Sequence, residues 1–298
     1  MGRSAERGVS RSFGSANCAC RRCRPAQHRC GCRRCQLGSA TSSHRHTSRR
    51  TGNDMIVLAI DTATELVSVA VADGREVLAT SESRSARRHA EDLTPMVQFV
   101  VQRAALTLAD IEAVAVNVGP GLFTGMRVGI AAAQAFAQVL GVRLVGVDGL
   151  SALVSAVPAA SLADCEIVVP TIDARRNEVA WSMHRVRDDG ANSIVQPPRV
   201  GTLDDLVLAV RERAQHCGFV GEFARRRSDE IREAVGPQAW NVAFSDESLD
   251  FPRARHVAQL AVDALLHDDG DDSAVATVAA MYLRDADADI NWATRGNV

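Results

Sequence analysis

The 298-residue chain contains no lysine, and all 34 of its basic residues are arginine. That absence removes several chemistries at once. No Walker A lysine can reach a nucleotide phosphate, and no Schiff-base or kinase-type lysine exists. Long apolar runs are also missing. The longest candidate, residues 128–142, is interrupted by Gln134 and Gln138 and falls short of a membrane span. The basic N-terminus has no apolar segment of the secretory kind, so the expected location is the cytoplasm. There is no His-Glu-x-x-His and no Gly-x-Ser-x-Gly, which excludes zincin and hydrolase-elbow readings.

What is present is unevenly placed. Residues 1–54 hold 12 arginines against two acids, whereas the remainder holds 22 against 34. The remainder is therefore acidic and not by itself a strong nucleic-acid binder. Six of the eight cysteines also lie in the basic stretch, as Cys18-x-Cys20-x-x-Cys23 and Cys30-x-Cys32-x-x-Cys35. One reading is a small zinc site with His28, His44 or His46 as further ligands. The preferred reading is a leader without a fold, because a zinc module needs local apolar packing and this stretch has almost none. Met55 directly precedes the first convincing strand, so translation is expected to start there. No other metal site is expected.

Residues 55–60 form a continuous apolar run and read as a buried strand. Residues 66–72 and 75–80 read as strands joined at Asp73-Gly74, a hairpin signal. A helical pattern over His89–Leu106 places Pro95 in a first turn if the helix proper starts at Thr94. A strand at 111–118, a helix at 124–140 capped by Gly141 and a short strand at 144–147 follow. The second half repeats the opening, with strands at 166–172, 178–186 and 194–200. Next come a helix at 202–214 capped by Thr202, a strand at 217–220, and helices at 225–235 and 253–267. Each half starts with three strands and carries an aspartate after the first, Asp61 and Asp173. The echo suggests duplication and an α/β fold of two related domains, 55–157 and 158–298, with mixed sheets and crossover helices. The last segment is expected to return to the first domain.

This order resembles the actin, sugar-kinase and Hsp70-like (ribonuclease H-like) fold. Four stretches resemble the TsaB (YeaZ) family of tRNA threonylcarbamoyladenosine biosynthesis proteins: Ile60–Thr64, Val118-Gly-Pro-Gly-Leu-Phe-Thr-Gly-Met-Arg-Val-Gly129, Asp173–Val179 and Tyr282-Leu283-Arg284. The resemblance spans about residues 55–290. It departs at Ala280, where the family usually has proline, and at Trp181, a displaced aromatic. The resemblance implies a non-catalytic scaffold that pairs directly with TsaD, the subunit that modifies adenosine 37 of tRNAs reading codons that start with A. It implies that the TsaE ATPase joins the complex and that tRNA is met only indirectly; whether the free chain is a homodimer stays open, self-pairing being one way to cover an apolar patch. The alternative is an ATP-dependent phosphotransferase of the sugar-kinase-like class.

Two sets of candidate residues follow. Asp61, Thr62, Gly119, Gly121, Thr124, Arg127 and Asp173 could hold an anion or nucleotide at the strand-end turns. The competing reading is structural: the glycines allow a sharp turn and Thr124 caps the following helix. It is preferred because the spacing fits neither Gly-x-Gly-x-x-Gly nor Walker A. Arg127, near a helix N-terminus, should have an anionic partner such as Asp61. Met96, Phe99, Val100, Gly129 and Ala133 form the candidate partner interface, an apolar surplus beside a small-residue helix; the competing reading is that the first helix is sandwiched inside its own domain, with Val100 facing its core. No cofactor of its own is expected, leaving the partner interface as a place for nucleotide. His89 has no second histidine four residues on, as a TsaD-type metal pair would require, and reads as a solvent-facing or N-terminal helix histidine. Cys165 and Cys217 read as core residues, and Asp268–Asp272 as a solvated linker.

Overall fold

The computed structural model describes residues 55–84, 89–158, 165–186, 192–213, 216–236, 241–267 and 278–283. The cysteine repeat and the Asp268–Asp272 run lie outside them. Five strands form the first sheet: β1 (Ile56–Asp61), β2 (Leu66–Asp73), β3 (Glu76–Arg84), β4 (Ala113–Gly119) and β5 (Arg143–Asp148). Helices α1 (His89–Arg103), α2 (Phe123–Leu140) and α3 (Gly149–Ser155) are interleaved. The second sheet comprises β6 (Ile167–Arg175), β7 (Glu178–Val186), β8 (Asn192–Gly201), β9 (His216–Val220) and β10 (Asn241–Phe244). It is accompanied by α4 (Leu203–Arg213), α5 (Glu222–Arg226), α6 (Ser228–Val235) and α7 (Ala254–His267).

The spatial orders are β3-β2-β1-β4-β5 and β10-β9-β6-β7-β8. Counted from its own first strand, each sheet has the same order, with two antiparallel pairings followed by two parallel ones. Parallel neighbours need a crossover, which α1 and α2 supply in the first sheet. The duplicated α/β architecture is therefore present in the topology itself.

β1 is buried along its whole length because both faces are covered. Leu58 and Ile60 pack with Val97, Val100 and Ile130 beneath α1 and α2. Val57 and Ala59 pack on the other face against Val257, Ala258, Ala261 and Val262 of α7. Thus α7, last in the chain order, packs on the first sheet. The 278–283 segment does so too: Met281 N–H donates to the Val118 carbonyl at 2.8 Å, and Val278 and Ala280 join the α1–α2 cluster. On the second sheet, Ile167, Val169, Trp181 and Met183 pack with Leu206, Val210 and Ile231. Leu150, Leu153 and Val154 of α3 pack on its opposite face, against Val168 and Ile172.

Gly141 ends α2 in the left-handed region at φ 68°, as the sequence predicts. Thr202 and Asp205 cap α4 reciprocally, through Asp205 N–H to Thr202 Oγ1 at 3.2 Å and Thr202 N–H to Asp205 Oδ2 at 2.9 Å. Other expectations change. α1 starts at His89, so Pro95 is internal; it removes one helical N–H on the exposed side of the helix. The single helix expected at 225–235 is two, broken at Arg227, and α5 starts earlier, at Glu222. Helix α3, capped by Asp148 accepting from Leu150 and Ser151 N–H, and strand β10 were not anticipated. Both are short and lack a periodic pattern.

Candidate functional site: the strand-end turns

The turn after β1 meets the turn after β4 in a continuous network. The Asp61 carboxylate is fully buried and accepts from Ala63 N–H at 3.0 Å and the Asn117 side-chain amide at 2.9 Å. Asn117 Oδ1 accepts from Gly119 N–H at 2.8 Å. Burial pushes Asp61 up to about 7, with the two N–H donors working against the shift. Thr62 Oγ1 donates to the Gly125 carbonyl at 2.7 Å, and Leu122 N–H donates to the Ala63 carbonyl at 2.6 Å.

This contact depends on glycine. Gly121 precedes α2, and Gly125 and Gly129 follow at successive turns of it. A methyl group added at Gly121 would overlap the Ala63 carbonyl oxygen; at Gly125, the Thr62 carbonyl oxygen; at Gly129, Thr62 Oγ1. The three positions form one strip along which the Asp61–Thr64 turn lies directly on the helix backbone. In a phosphate cradle that space belongs to the anion. Here the chain's own turn fills it.

The remaining candidates lie elsewhere. α2 begins at Phe123 behind Leu122, with no side-chain cap, so the expectation that Thr124 caps the helix is corrected. The main-chain bond from Leu122 to Ala63 sets the start of the helix, and Thr124 is exposed. Arg127 does not pair with Asp61, which is sealed beneath the turn. Its Nε donates to the Tyr282 hydroxyl at 3.0 Å, and its guanidinium lies 3.8 Å from the Phe123 ring centroid. Aromatic faces thus take the place expected for an anion. Asp173 belongs to the second sheet's turn, is half-exposed and accepts from Arg175 N–H at 2.7 Å. Only about 20 Å³ separates that turn from Ala63, Gly121 and Leu122, room for about one water. Beside it opens a groove of about 600 Å³ lined by Leu122, Phe123, Arg127, Ile172, Asp173 and Tyr282.

The candidate interface residues also need correction. Val100 and Ala133 are fully buried, and Met96 and Gly129 face inward with them. They are the stripe by which α1 and α2 pack on the first sheet, so they are no free surface. Phe99 is 47% exposed. The outward face of the same helices carries Pro95, Gln98 and Phe99 on α1 and Ala131, Ala135 and Val139 on α2, with Val139 84% exposed. Arg127 is the sole charge in α2.

His89 is the N-terminal residue of α1, one of its two expected places, and is buried rather than solvent-facing, with Nε2 2.8 Å from the Thr64 carbonyl, tying α1 to the same turn. Cys217 is buried and burial pushes its thiol up to about 12, while Cys165 is half-buried. Among the described residues, no group of three or more His, Cys, Asp or Glu side chains gathers to hold a metal. No helix among them is long and apolar enough to cross a membrane. Asn117, Glu65 and Glu222 take part in the site without having been singled out, and Tyr282, noted only within a family stretch, was not expected there. A signal existed for Asn117, the lone polar residue inside the apolar run of β4. That it would pair with Asp61, on another strand, had no such signal.

Comparison with known proteins places this geometry. The family model described as TsaD, tRNA N6-adenosine threonylcarbamoyltransferase, matches residues 77–292. A protein of Mycobacterium tuberculosis is 42% identical over 169 residues, 55% of this chain and 74% of that one. The tRNA threonylcarbamoyladenosine biosynthesis protein TsaB of Escherichia coli is 38% identical over 136 residues, 46% of this chain and 58% of that protein. The match therefore spans little more than half of the E. coli protein. The structure of YeaZ from Pseudomonas aeruginosa superposes with a TM-score of 0.59 at 26% identity, covering 74% of this chain and 96% of that one. The chain belongs to the family of TsaD-type proteins and, within it, to the TsaB (YeaZ) group.

Proposed function

We propose that this chain is a non-catalytic subunit in tRNA threonylcarbamoyladenosine synthesis, acting by pairing with a TsaD subunit in a complex that the TsaE ATPase joins. The observation that carries the reading is the filled glycine turn. The place where a nucleotide-using protein would hold phosphate is occupied by Thr62 and Ala63, and the Asp61 carboxylate is consumed by internal bonds. The names of the TsaB relatives support the pathway. The outward face of α1 and α2 supports the mode of action. A helix with small side chains at Ala131 and Ala135 lets a partner helix approach closely, and Phe99 and Val139 supply apolar area. In the free protein a second copy would cover the same face. The acidic balance of residues 55–298 is in keeping with tRNA being met only through the partner.

Co-purification of the tagged full chain with the cell's TsaD tests this reading. Phe99→Glu and Ala135→Glu change exposed positions, so folding is retained. A charge buried without a partner at the interface costs several kcal/mol, about a hundredfold or more in affinity. Unchanged affinity in both variants would place the interface elsewhere. Steady ATP turnover by the isolated chain that disappears in Asp61→Ala would favour the phosphotransferase alternative.

A further inference from the structure

The β6–β7 hairpin contains a conformation that its sequence does not favour. Arg175, Arg176 and Asn177 have φ of 65°, 55° and 62°, three consecutive left-handed residues with no glycine among them. Side-chain crowding opposes this at Arg175 and Arg176, whereas asparagine at 177 tolerates it. What holds the turn is a set of specific bonds. Asp173 Oδ1 accepts from Arg175 N–H at 2.7 Å, and Asn177 Oδ1 accepts from Arg227 Nη2 at 3.1 Å. The outcome of the strain is directional: Arg175 Nη2 reaches Glu65 Oε1 of the first sheet's turn at 2.9 Å.

A second ion pair crosses the same gap. Glu222, at the start of α5, has a side chain only 10% exposed and receives Arg84 from the end of β3 at 3.5 Å and Arg226 at 2.7 Å. Arg84 also lies over the Phe251 ring, 5.2 Å from its centroid. Between these two pairs lies the gap with room for one water. Its lining mixes Leu122, Ile172 and Phe251 with the charged groups of Glu65, Asp173, Arg175, Glu222 and Asp250.

We infer that Glu65–Arg175 and Arg84–Glu222 form a latch that keeps the two sheets' strand-end turns shut against each other. Releasing the latch parts the turns while each sheet and its helices stay folded. The latch goes beyond the proposed scaffold role and does not depend on it. It adds a charge-sensitive closure at the strand-end turns to a junction that α3 already packs through Leu150, Leu153 and Val154 against Val168 and Ile172.

Hydroxyl-radical footprinting of the full chain, read by mass spectrometry, tests the latch. Glu65→Gln combined with Glu222→Gln removes both cross-sheet charges without shortening a side chain. Labelling of Leu122 and Ile172, which face the gap, is expected to rise at least threefold, with Met183 and Phe219 in the second core unchanged. Glu230→Gln, which breaks a pair within the second domain, leaves the pattern as in the parent. Unchanged labelling at Leu122 and Ile172 overturns the latch, and so does a rise that includes Met183 and Phe219, which signals general loss of packing. Arg175→Gly separates strain from closure. It relaxes the turn and deletes the Glu65 pair, so the melting temperature is held or raised while Leu122 labelling increases. Leu122 as protected as in the parent would show that Arg175 holds nothing shut.

Discussion

The interlock of Thr62 with α2 predicts a selective pattern of coupling between substitutions. Gly129→Ala places a methyl group onto Thr62 Oγ1, the end of a side chain, whereas Gly125→Ala places one onto the Thr62 carbonyl, part of the backbone. Each change alone gains about 1 kcal/mol of helix propensity. Each also overpacks a close contact, at about 1–3 kcal/mol, and disturbs the Thr62–Gly125 hydrogen bond, worth about 1 kcal/mol. Both variants should therefore be less stable than the parent by about 1–3 kcal/mol. Thr62→Ala removes the atom that Gly129→Ala collides with and leaves the carbonyl that Gly125→Ala collides with. The Thr62→Ala/Gly129→Ala double variant should then match or exceed the stability of Thr62→Ala, with a coupling of about 1–3 kcal/mol. Thr62→Ala/Gly125→Ala should show no comparable rescue. Urea unfolding of the parent, three single and two double variants measures both cycles. Additive energies for the 62/129 pair, or equal rescue in both pairs, would refute the claim that the glycine strip exists to seat this turn.

Asp61, raised from an ordinary 3.8 to about 7 by burial, stabilises the fold fully below pH 4, and that contribution is lost as pH rises through 7. The loss is about 4 kcal/mol at most, so the melting temperature of the parent minus that of Asp61→Asn should fall between pH 4 and 7 and level off above 8; a flat difference would show the carboxylate is not sealed. His256 behaves oppositely. Burial holds it at about 4, and its Nε2 accepts from Arg255 Nε at 3.0 Å, so its contribution is present above pH 6.5 and lost as pH falls toward 4. A His256→Gln variant should melt with less acid sensitivity than the parent, by about 3 kcal/mol at most. Val100→Glu should abolish folding, as judged by circular dichroism, whereas the adjacent Phe99→Glu should leave the melt within a few degrees of the parent, because Val100 is fully buried and Phe99 half-exposed. A folded Val100→Glu variant would contradict the inward orientation of α1.

Much of this molecule was legible before its structure. The runs at 55–60 and 111–118, the hairpin at Asp73-Gly74, the glycine that ends α2 and the Thr202 cap are local signals. Each is decided by residues within a few positions of one another, and each appears where the sequence places it. The repeated order of strands carried the duplication, and the words around Asp61, Gly119–Gly129 and Asp173 carried the family. The misread site residues share one cause. That Asp61 is sealed follows from Asn117, 56 residues away, and Arg127's partner is Tyr282, 155 residues away. Whether Val100 or Phe99 faces the sheet depends on how α1 settles over β2 and β3, because both residues are apolar and adjacent. Neither charge nor periodicity encodes such pairings. They are set only when the two sheets, the returning α7 and the 278–283 segment close on one another. Burial then decides which carboxylate is consumed, which arginine stacks and which helix face remains for a partner.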